Sequence, residues 1–232
     1  MICSIHQPQT FPWIGYFAKI IQSDIFVILD NVQFKKNEWQ NRNRLKTPNG
    51  WQWLTVPVIH NFGQSIGDVK INTTTNWQNK HIQTLKTYYS KAPFFKLYFT
   101  EIEELYQKQW EYLSDFNLSG IKWILDKLNI QTPIKLASDL IELQNKMEIT
   151  PDDRLLFITK IMKADTYLSG AGGKNYLNTG IFPENDLQLI FQHFEHPVYR
   201  QLHGEFISHL SILDLLFNEG YNSLNIIKEG IR

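Results

Sequence analysis

The sequence has almost no cysteine and no long apolar segment. Cys3 is the single cysteine among 232 residues, so the chain cannot form an internal disulfide or a cysteine-based metal cluster. No apolar run reaches the roughly 18–20 residues that a membrane-spanning helix needs. The N-terminus also lacks the basic, apolar and small-residue series of a secretory signal. We therefore expect a cytoplasmic protein with no membrane span.

The sequence also lacks an excess of charge of either sign. It contains 23 lysines and arginines and 23 aspartates and glutamates, which gives a formal net charge of zero. A protein whose main task is to coat nucleic acid or an anionic membrane needs a basic balance to meet the phosphates. We therefore expect a small-molecule substrate and no nucleic-acid partner, while the oligomeric state stays undetermined.

Aromatic residues, in contrast, are abundant, at 14% of the chain with seven tryptophans. A tryptophan usually lies in a core. Trp39 has unusual surroundings, because its neighbours are all polar: Asn37, Glu38, Gln40 and Asn41. An aromatic floor for a sugar or a base is the functional interpretation of this residue.

The order of apolar segments predicts an α/β fold. Apolar runs at residues 2–5 and 25–30 flank an amphipathic segment at 16–22, and a second helix-then-strand unit covers residues 152–168. Alternation of this kind favours a mostly parallel, Rossmann-like sheet.

A long helical stretch interrupts this alternation. Residues 78–128 carry apolar side chains at helical spacing, with a break before Pro93. A further strand near 188–191 and a closing helix over 207–218 are expected to finish the fold. We predict a single domain over residues 1–232 with a helical insertion around 78–128.

Polar residues follow the first predicted strand, at the edge where open parallel sheets bind their ligands. His6 and Gln7 leave this strand, and Pro12 to Tyr16 open the following helix, whose free N–H groups suit a phosphate. We predict a catalytic role for His6 and a substrate-binding role for Gln7, Trp13 and Tyr16. The alternative for His6 is a purely structural hydrogen bond.

The second strand leads into a segment rich in Asn, Gln, Arg and Lys, in which Asn and Arg alternate twice. If that segment is extended, both arginines lie on one side and can clamp a phosphate or carboxylate. A solvated loop is the alternative, and Asp30 could equally hold a metal or ribose hydroxyls or pair with an arginine. We predict catalytic roles for Asp30 and Arg42, and substrate-binding roles for Gln33, Asn41 and Arg44.

A glycine-rich turn follows the strand expected to end near residue 168, and backbone amides in such turns cradle phosphate. Its spacing matches neither the Walker pattern nor the dinucleotide-binding pattern. We predict substrate-binding roles for Ser169, Gly170, Gly172 and Lys174, with Lys174 as a phosphate ligand.

Four histidines near the C-terminus do not have the spacing of a metal site. No pair is separated by four residues with an intervening general-base glutamate, so we predict no metal. A Ser-His-Asp triad would lack its Gly-x-Ser-x-Gly elbow. Whether these histidines are functional stays open: His193, His196, His203 and His209.

Seven short motifs are spread from the first strand to the last helix: His6-Gln7-Pro8, Pro12-Trp13-x-Gly15-Tyr16, Asp30-x-Val32-Gln33-Phe34, Asn41-Arg42-Asn43-Arg44, Trp53-Leu54-Thr55-Val56-Pro57-Val58, Tyr167-Leu168-Ser169-Gly170 and Ser211-Ile212-Leu213-Asp214-Leu215-Leu216. Together they resemble the WbqC-like protein family over essentially the whole chain. The resemblance implies an association with gene sets for O-antigen and other surface polysaccharides. It carries over no catalytic residues.

A second resemblance concerns only the first strand, loop and helix. Their layout is similar to the H-x-G-H region of nucleotidylyltransferases and pantothenate-synthetase-like adenylating ligases. The chain departs from that motif, because Pro12, Trp13 and Tyr16 stand where its two histidines would be. Histidine-assisted adenylation is therefore not implied, although His6 and basic side chains could stabilise a charged phosphate transition state.

Three classes of function remain. The leading prediction is a transferase or ligase that modifies a nucleotide-activated amino sugar by acyl or aminoacyl transfer. An ATP-dependent amide-forming ligase fits the arginine pair and the glycine turn best within this class, and ATP would be its cofactor. The second class is a nucleotidyltransferase that makes the activated sugar precursor. The third is a non-catalytic binding or scaffolding module of a polysaccharide complex that uses its exposed tryptophans.

Overall fold

The computed structural model describes residues 1–144 and 149–232. The strands in this part of the chain are β1 Ile2–His6, β2 Ile25–Ile28, β3 Arg42–Thr47, β4 Gly50–Thr55, β5 Val58–Ile59, β6 Lys70–Ile71, β7 Ile134–Leu136, β8 Thr166–Ser169 and β9 Gln188–Phe191. Five of them form the central sheet in the order β7-β2-β1-β8-β9, and each neighbouring pair is parallel. The predicted α/β fold with a Rossmann-like parallel sheet is confirmed.

The helices of the described residues are α1 Ile14–Ile21, α2 Trp77–Tyr89, α3 Phe95–Gln107, α4 Leu113–Lys127, α5 Ile141–Gln144, α6 Pro151–Ile161, α7 Ile212–Glu219 and α8 Ser223–Glu229. Helices α2 to α4 occupy the stretch for which the apolar spacing predicts helices. The longest of these helices, α4, has 15 residues, and no helix in the described ranges is long and apolar enough to cross a membrane. The single-domain assignment stays a prediction.

Alternate residues of the central strands enter two hydrophobic clusters on opposite faces of the sheet. Phe26 and Ile28 of β2 pack in the cluster that contains helices α1, α7 and α8. Cys3, Ile5 and Val27 pack in the other cluster, which includes helix α6. Helices therefore cover both faces of the sheet, and this burial explains why its strands consist largely of apolar residues.

The segment that carries the two arginines forms an antiparallel hairpin, β3 with β4. Arg42 lies opposite Thr55, and Arg44 lies opposite Trp53. The hairpin is fixed to the loop between β1 and α1, because the Asn43 amide donates to the Phe11 carbonyl at 2.7 Å. The extended conformation assumed for this segment is correct, and both arginines lie on one face of β3.

The closing helix begins later than predicted. Residues 207–211 are not helical, and α7 starts at Ile212. His209 has a left-handed backbone with φ of 58°, which a continuous helix does not allow. The Ser211 hydroxyl accepts a hydrogen bond from the Leu213 amide at 3.3 Å and caps the helix instead.

Candidate functional site

The strand order creates a topological switch point between β1 and β8. The chain moves from β1 to β2 on one side of the sheet and reaches β8 and β9 on the other. Open α/β sheets bind ligands beyond the carboxyl ends of the strands at such a point. A cavity of about 230 Å³ opens there. The predicted site residues that line it are His6, Trp13, Tyr16, Gly170 and Gly172.

His6 sits at the end of β1 with a defined ring orientation. Its Nδ1 lies 3.1 Å from the Gln7 carbonyl, and its ring meets the edge of Tyr16 at a centroid distance of 4.8 Å. A carbonyl can only accept, so Nδ1 carries the hydrogen and Nε2 is left as an acceptor. Burial, and then the nearby Lys19, lower the pKa of His6 to about 3. His6 is therefore neutral near pH 7 and can accept a hydrogen bond from a ligand.

Trp13 and Gly15 explain the spacing of the Pro-Trp-x-Gly motif. A Cβ on Gly15 would lie 2.2 Å from the indole ring of Trp13, so only glycine lets this ring lie across the start of α1. The ring also stacks on His209 at 4.6 Å and meets Phe194 edge-on at 5.6 Å. Trp13 therefore forms a rigid aromatic wall of the cavity.

The three glycines after β8 have different surroundings. A Cβ on Gly173 would lie 2.2 Å from the Ser169 hydroxyl, so this glycine is required by packing. A Cβ on Gly170 or Gly172 would have no neighbour within 4 Å, and neither residue has a positive φ. Glycine at these two positions leaves open space beside the cavity rather than relieving a contact within the protein.

Ser169 and Lys174 belong to the same turn but are not part of the cavity lining in the described structure. Ser169 is buried, and its hydroxyl donates to the Gly170 carbonyl at 3.2 Å. Lys174 is exposed, with its amine 5.5 Å from the centre of the Phe191 ring. Their substrate-binding roles stay predictions.

Lys19 also lines the cavity, and sequence reasoning missed it. Its side chain is 2% exposed, and its amine donates to the Ile5 carbonyl at 2.9 Å. Burial lowers the pKa of Lys19 to about 7, so its charge is readily changed near neutral pH. The available signal was a single charged residue within the otherwise apolar helix Ile14–Ile21.

Gln192 is the second lining residue that sequence reasoning missed. Its amide donates to the Gly15 carbonyl at 2.9 Å and ties the end of β9 to the start of α1. It is buried and directly follows β9, and a polar residue at a strand end is the pattern that could have identified it. The cavity is thus bordered by the ends of β1, β8 and β9 and by the start of α1.

Arg42 and Arg44 are not part of the cavity lining in the described ranges. Arg42 stacks on Trp53 at 4.0 Å and donates to the Asn37 carbonyl. Arg44 lies between two tryptophan rings, at 5.2 Å from Trp39 and 5.1 Å from Trp51. Among the described residues, neither arginine forms an ion pair with a carboxylate. The hairpin therefore presents two oriented cations without partners of opposite charge.

His209 connects this arginine face to the cavity. Its carbonyl accepts a hydrogen bond from the Arg44 guanidinium at 3.0 Å, and its ring stacks on Trp13. His196 lies parallel to the same indole at 6.1 Å. Contacts through His209 and Trp13 thus link Arg44 to the cavity lining.

The other predicted site residues make hydrogen bonds within the protein. Asp30 accepts from the Ser138 amide at 2.9 Å and from its hydroxyl at 2.6 Å, so both carboxylate oxygens hold the loop after β7. Gln7 accepts from Gln40 at 2.7 Å. The catalytic role of Asp30 and the binding role of Gln7 stay predictions.

Two further predicted binding residues lie on the segments around β3. The Asn41 amide donates to the Val56 carbonyl at 3.0 Å, and Asn41 is buried. Gln33 is exposed and forms an isolated antiparallel bridge with Ser65. Neither is part of the cavity lining in the described ranges, and their roles also stay predictions.

A second, larger cavity of about 730 Å³ lies away from the central sheet. It is bordered by β6, α2 and the end of α3, and its lining includes Trp77, Gln78 and Trp110. Lys70 and Glu111 form an ion pair at 2.7 Å on its edge. In the described part of the chain its lining contains no residue that the sequence patterns mark for function.

Comparison with known proteins agrees with the resemblance seen in the motifs. A sequence model of the WbqC-like protein family matches residues 7–226. The uncharacterized protein Rv1507c of Mycobacterium tuberculosis is 34% identical over 221 residues, which cover 94% of this chain and 93% of that protein. No solved structure matches the chain. The chain belongs to the WbqC-like protein family.

Proposed function

We propose that this protein is an enzyme of surface-polysaccharide precursor biosynthesis that modifies a nucleotide-activated amino sugar by acyl or aminoacyl transfer. The observation that carries the proposal is the cavity at the switch point between β1 and β8, the position where Rossmann-like sheets bind nucleotides. The resemblance to the WbqC-like family supports the assignment to surface-polysaccharide biosynthesis, because that resemblance implies an association with gene sets for O-antigen.

The size of the cavity indicates how such a ligand would lie. At about 230 Å³ it is smaller than the roughly 300–1,000 Å³ of pockets that enclose a whole ligand. We propose that the amino-sugar end enters the cavity, while the diphosphate extends past Trp13 and His209 to Arg42 and Arg44. Two guanidiniums without carboxylate partners suit a diphosphate.

His6 is the residue proposed to act on the reacting atoms. Amide formation requires the sugar amine to attack an acyl carbon and to lose a proton. The Nδ1 hydrogen bond to Gln7 leaves the Nε2 atom of His6 as an acceptor, and His6 lines the cavity. A pKa of about 3 keeps His6 neutral and a weak base, so its proposed role is to accept a hydrogen bond from the amine and orient the attack, while the departing phosphate takes the proton.

ATP is proposed as the source of energy for the amide-forming version of this reaction. The carboxylate of the acyl donor would attack the γ-phosphorus and give an acyl phosphate and ADP. The sugar amine would then attack the acyl carbon, and phosphate would leave. This sequence is balanced and needs no redox partner.

A nucleotidyltransferase that makes the activated sugar is the second candidate. The strand, loop and helix that carry His6 resemble the H-x-G-H region in layout. Trp13 lies across the helix start, where that motif would require histidine, and its ring is stacked on His209. This substitution favours the transfer reaction over nucleotidyl transfer.

Calorimetric titration with ATP and with uridine- and thymidine-linked amino sugars tests the proposal. We expect saturable binding of one sugar nucleotide that weakens roughly ten- to a hundred-fold in Arg44→Ala, because one charge-assisted contact is lost. Lys35→Ala is the matched control, since Lys35 is exposed on the loop before the hairpin. Mass spectrometry of the sugar nucleotide after incubation with ATP and candidate acyl donors then tests transfer. Absence of binding up to about 1 mM would favour a scaffold.

A further inference from the structure

Lys19 is a buried cation that the protein itself leaves short of partners. Its amine has three hydrogens to donate, and the described structure provides one acceptor, the Ile5 carbonyl at 2.9 Å. The amine also lies 5.8 Å from the centre of the Phe26 ring. No carboxylate in the described ranges forms an ion pair with it. A buried charge normally has a counter-charge or several hydrogen bonds.

Lys46 shows what a completed lysine site looks like in the same molecule. It has no exposed surface, and its amine donates to Gln201 at 2.9 Å, to the Gly204 carbonyl at 3.5 Å and to the Glu205 carbonyl. Three acceptors satisfy its three hydrogens. Lys19 is similarly buried but lines a cavity, so its remaining hydrogens are available to a group from outside the protein chain.

Within the described ranges, no carboxylate pairs with Lys19 or lines the cavity beside it. The titratable neighbours are Cys3 and His6 on β1 and Tyr16 on its own helix, and the facing wall is glycine, alanine, Gln192 and Phe194. Burial raises the pKa of Cys3 to about 12, so this thiol stays neutral. The open space at Gly170 and Gly172 lies on the same cavity and can admit a group larger than water.

We infer that Lys19 is the receptor for a ligand oxyanion, a phosphate or carboxylate group, at the floor of the cavity between β1 and β8. The inference deepens the proposed function, on which it rests only for the identity of the substrate. If Lys19 binds an oxyanion, one substrate carries a phosphate or carboxylate group into the cavity. This group is distinct from the diphosphate that we assign to the arginines of the hairpin. In the proposed reaction, the acyl donor or its phosphorylated form has such a group.

Titration of the full chain with inorganic phosphate, pyrophosphate and acetate tests this inference. We expect one of these probes to bind to the wild-type protein and to bind roughly ten- to a hundred-fold more weakly to Lys19→Met. Methionine keeps most of the side-chain volume in this apolar setting. Lys122→Met is the control, because Lys122 is exposed on α4 and is not part of the cavity lining in the described ranges. Preference for phosphate over acetate identifies the oxyanion as a phosphate, and the reverse identifies it as a carboxylate.

A measurement on the wild-type protein decides the question if Lys19→Met does not fold. In protein labelled with ¹³C at lysine, the Cε shift of Lys19 reports protonation of its amine. A bound oxyanion should raise the titration midpoint by about one pH unit for each tenfold preference for the ammonium form. An unchanged midpoint at saturating probe, or equal affinity in a folded Lys19→Met, overturns the inference.

The two proposals can fail separately. Binding of a probe at Lys19 without any binding of sugar nucleotides would leave this inference standing and remove the proposed function. Binding of a sugar nucleotide that is insensitive to Lys19→Met, with no binding of the three probes, would do the reverse.

Discussion

The cavity at the switch point and the buried cluster beneath the β3–β4 hairpin each contain a buried lysine, but they differ in how many hydrogen-bond partners the chain provides. Under the hairpin, Lys46 is surrounded by acceptors, and the Asp214 carboxylate accepts from the hydroxyls of Tyr89 and Tyr199 at 2.9 Å each. Every one of these groups has a partner within the chain. At the cavity, Lys19 and His6 each make one side-chain hydrogen bond in the described part of the chain, and both line open space.

Structural and functional polar groups in this protein therefore differ in whether the chain itself satisfies their hydrogen bonds. A satisfied network stabilises the fold, and removal of one member leaves the others buried without a partner. An incompletely satisfied group in a cavity costs stability, and it is retained where a ligand supplies what is missing. The same substitution should therefore have opposite consequences in the two regions.

The largest effect is expected for Lys46→Met. This change leaves acceptors from Gln201, Gly204 and Glu205 without their donor, and we expect the free energy of unfolding to fall by about 2–4 kcal/mol. Urea denaturation followed by tryptophan fluorescence measures it. A loss below about 1 kcal/mol would mean that the network is not the stabilising element that its geometry indicates.

Lys19→Met should instead raise the free energy of unfolding near neutral pH, because it removes a buried amine with few partners. The size of this gain should depend on pH. The unfolded chain keeps the Lys19 proton up to a pKa near 10.5, whereas the folded protein releases it near pH 7. Between pH 7 and 9 the unfolded state binds more protons, so rising pH stabilises the wild-type fold relative to the variant. The difference in unfolding free energy should change by about 1.4 kcal/mol per pH unit.

The control for this prediction is Lys174→Met, which removes an exposed lysine and should leave the pH dependence of unfolding unchanged. Parallel curves for the wild type and Lys19→Met between pH 7 and 9 would show that the Lys19 amine is solvated in the folded protein. That result would show that Lys19, unlike Lys46, is not a truly buried amine, and the contrast between the two sites would be wrong.

The smallest effects are expected within the glycine turn. Gly173→Ala places a Cβ 2.2 Å from the Ser169 hydroxyl and should cost about 1–2 kcal/mol of stability. Gly170→Ala meets nothing within 4 Å and should change stability by less than about 0.5 kcal/mol. It should instead weaken ligand binding, because its methyl group occupies the open rim. Equal thermal stability of the two variants would contradict the assignment of Gly173 to packing and of Gly170 to ligand binding.

The sequence contains enough information to predict the sheet and the location of the cavity. Apolar runs identify β1, β2, β8 and β9, and parallel strands bring their polar end residues to one edge. His6 and Gly170 could be placed together for this reason, although 164 positions separate them in the chain. The alternation of Asn and Arg likewise predicts one face for the two arginines.

Other features depend on packing that no local pattern encodes. A lysine in a short helix normally extends to solvent, and only the position of α1 against β1 buries Lys19. Asp30 is bonded to Ser138, which lies 108 positions away, so a pattern of strand ends could not distinguish it from a free carboxylate. The start of α7 is set by Ser211, whereas the apolar periodicity extends further back.

The most direct test of the account is to map ligand binding on the ¹⁵N-labelled protein by backbone amide shifts. A saturating uridine- or thymidine-linked amino sugar should move the amides of Gly15, Gly170 and Gly172 most, since these border the cavity at the switch point. Shifts confined to the second cavity, around Gln109 and Trp110, would contradict the account and place the ligand away from the central sheet.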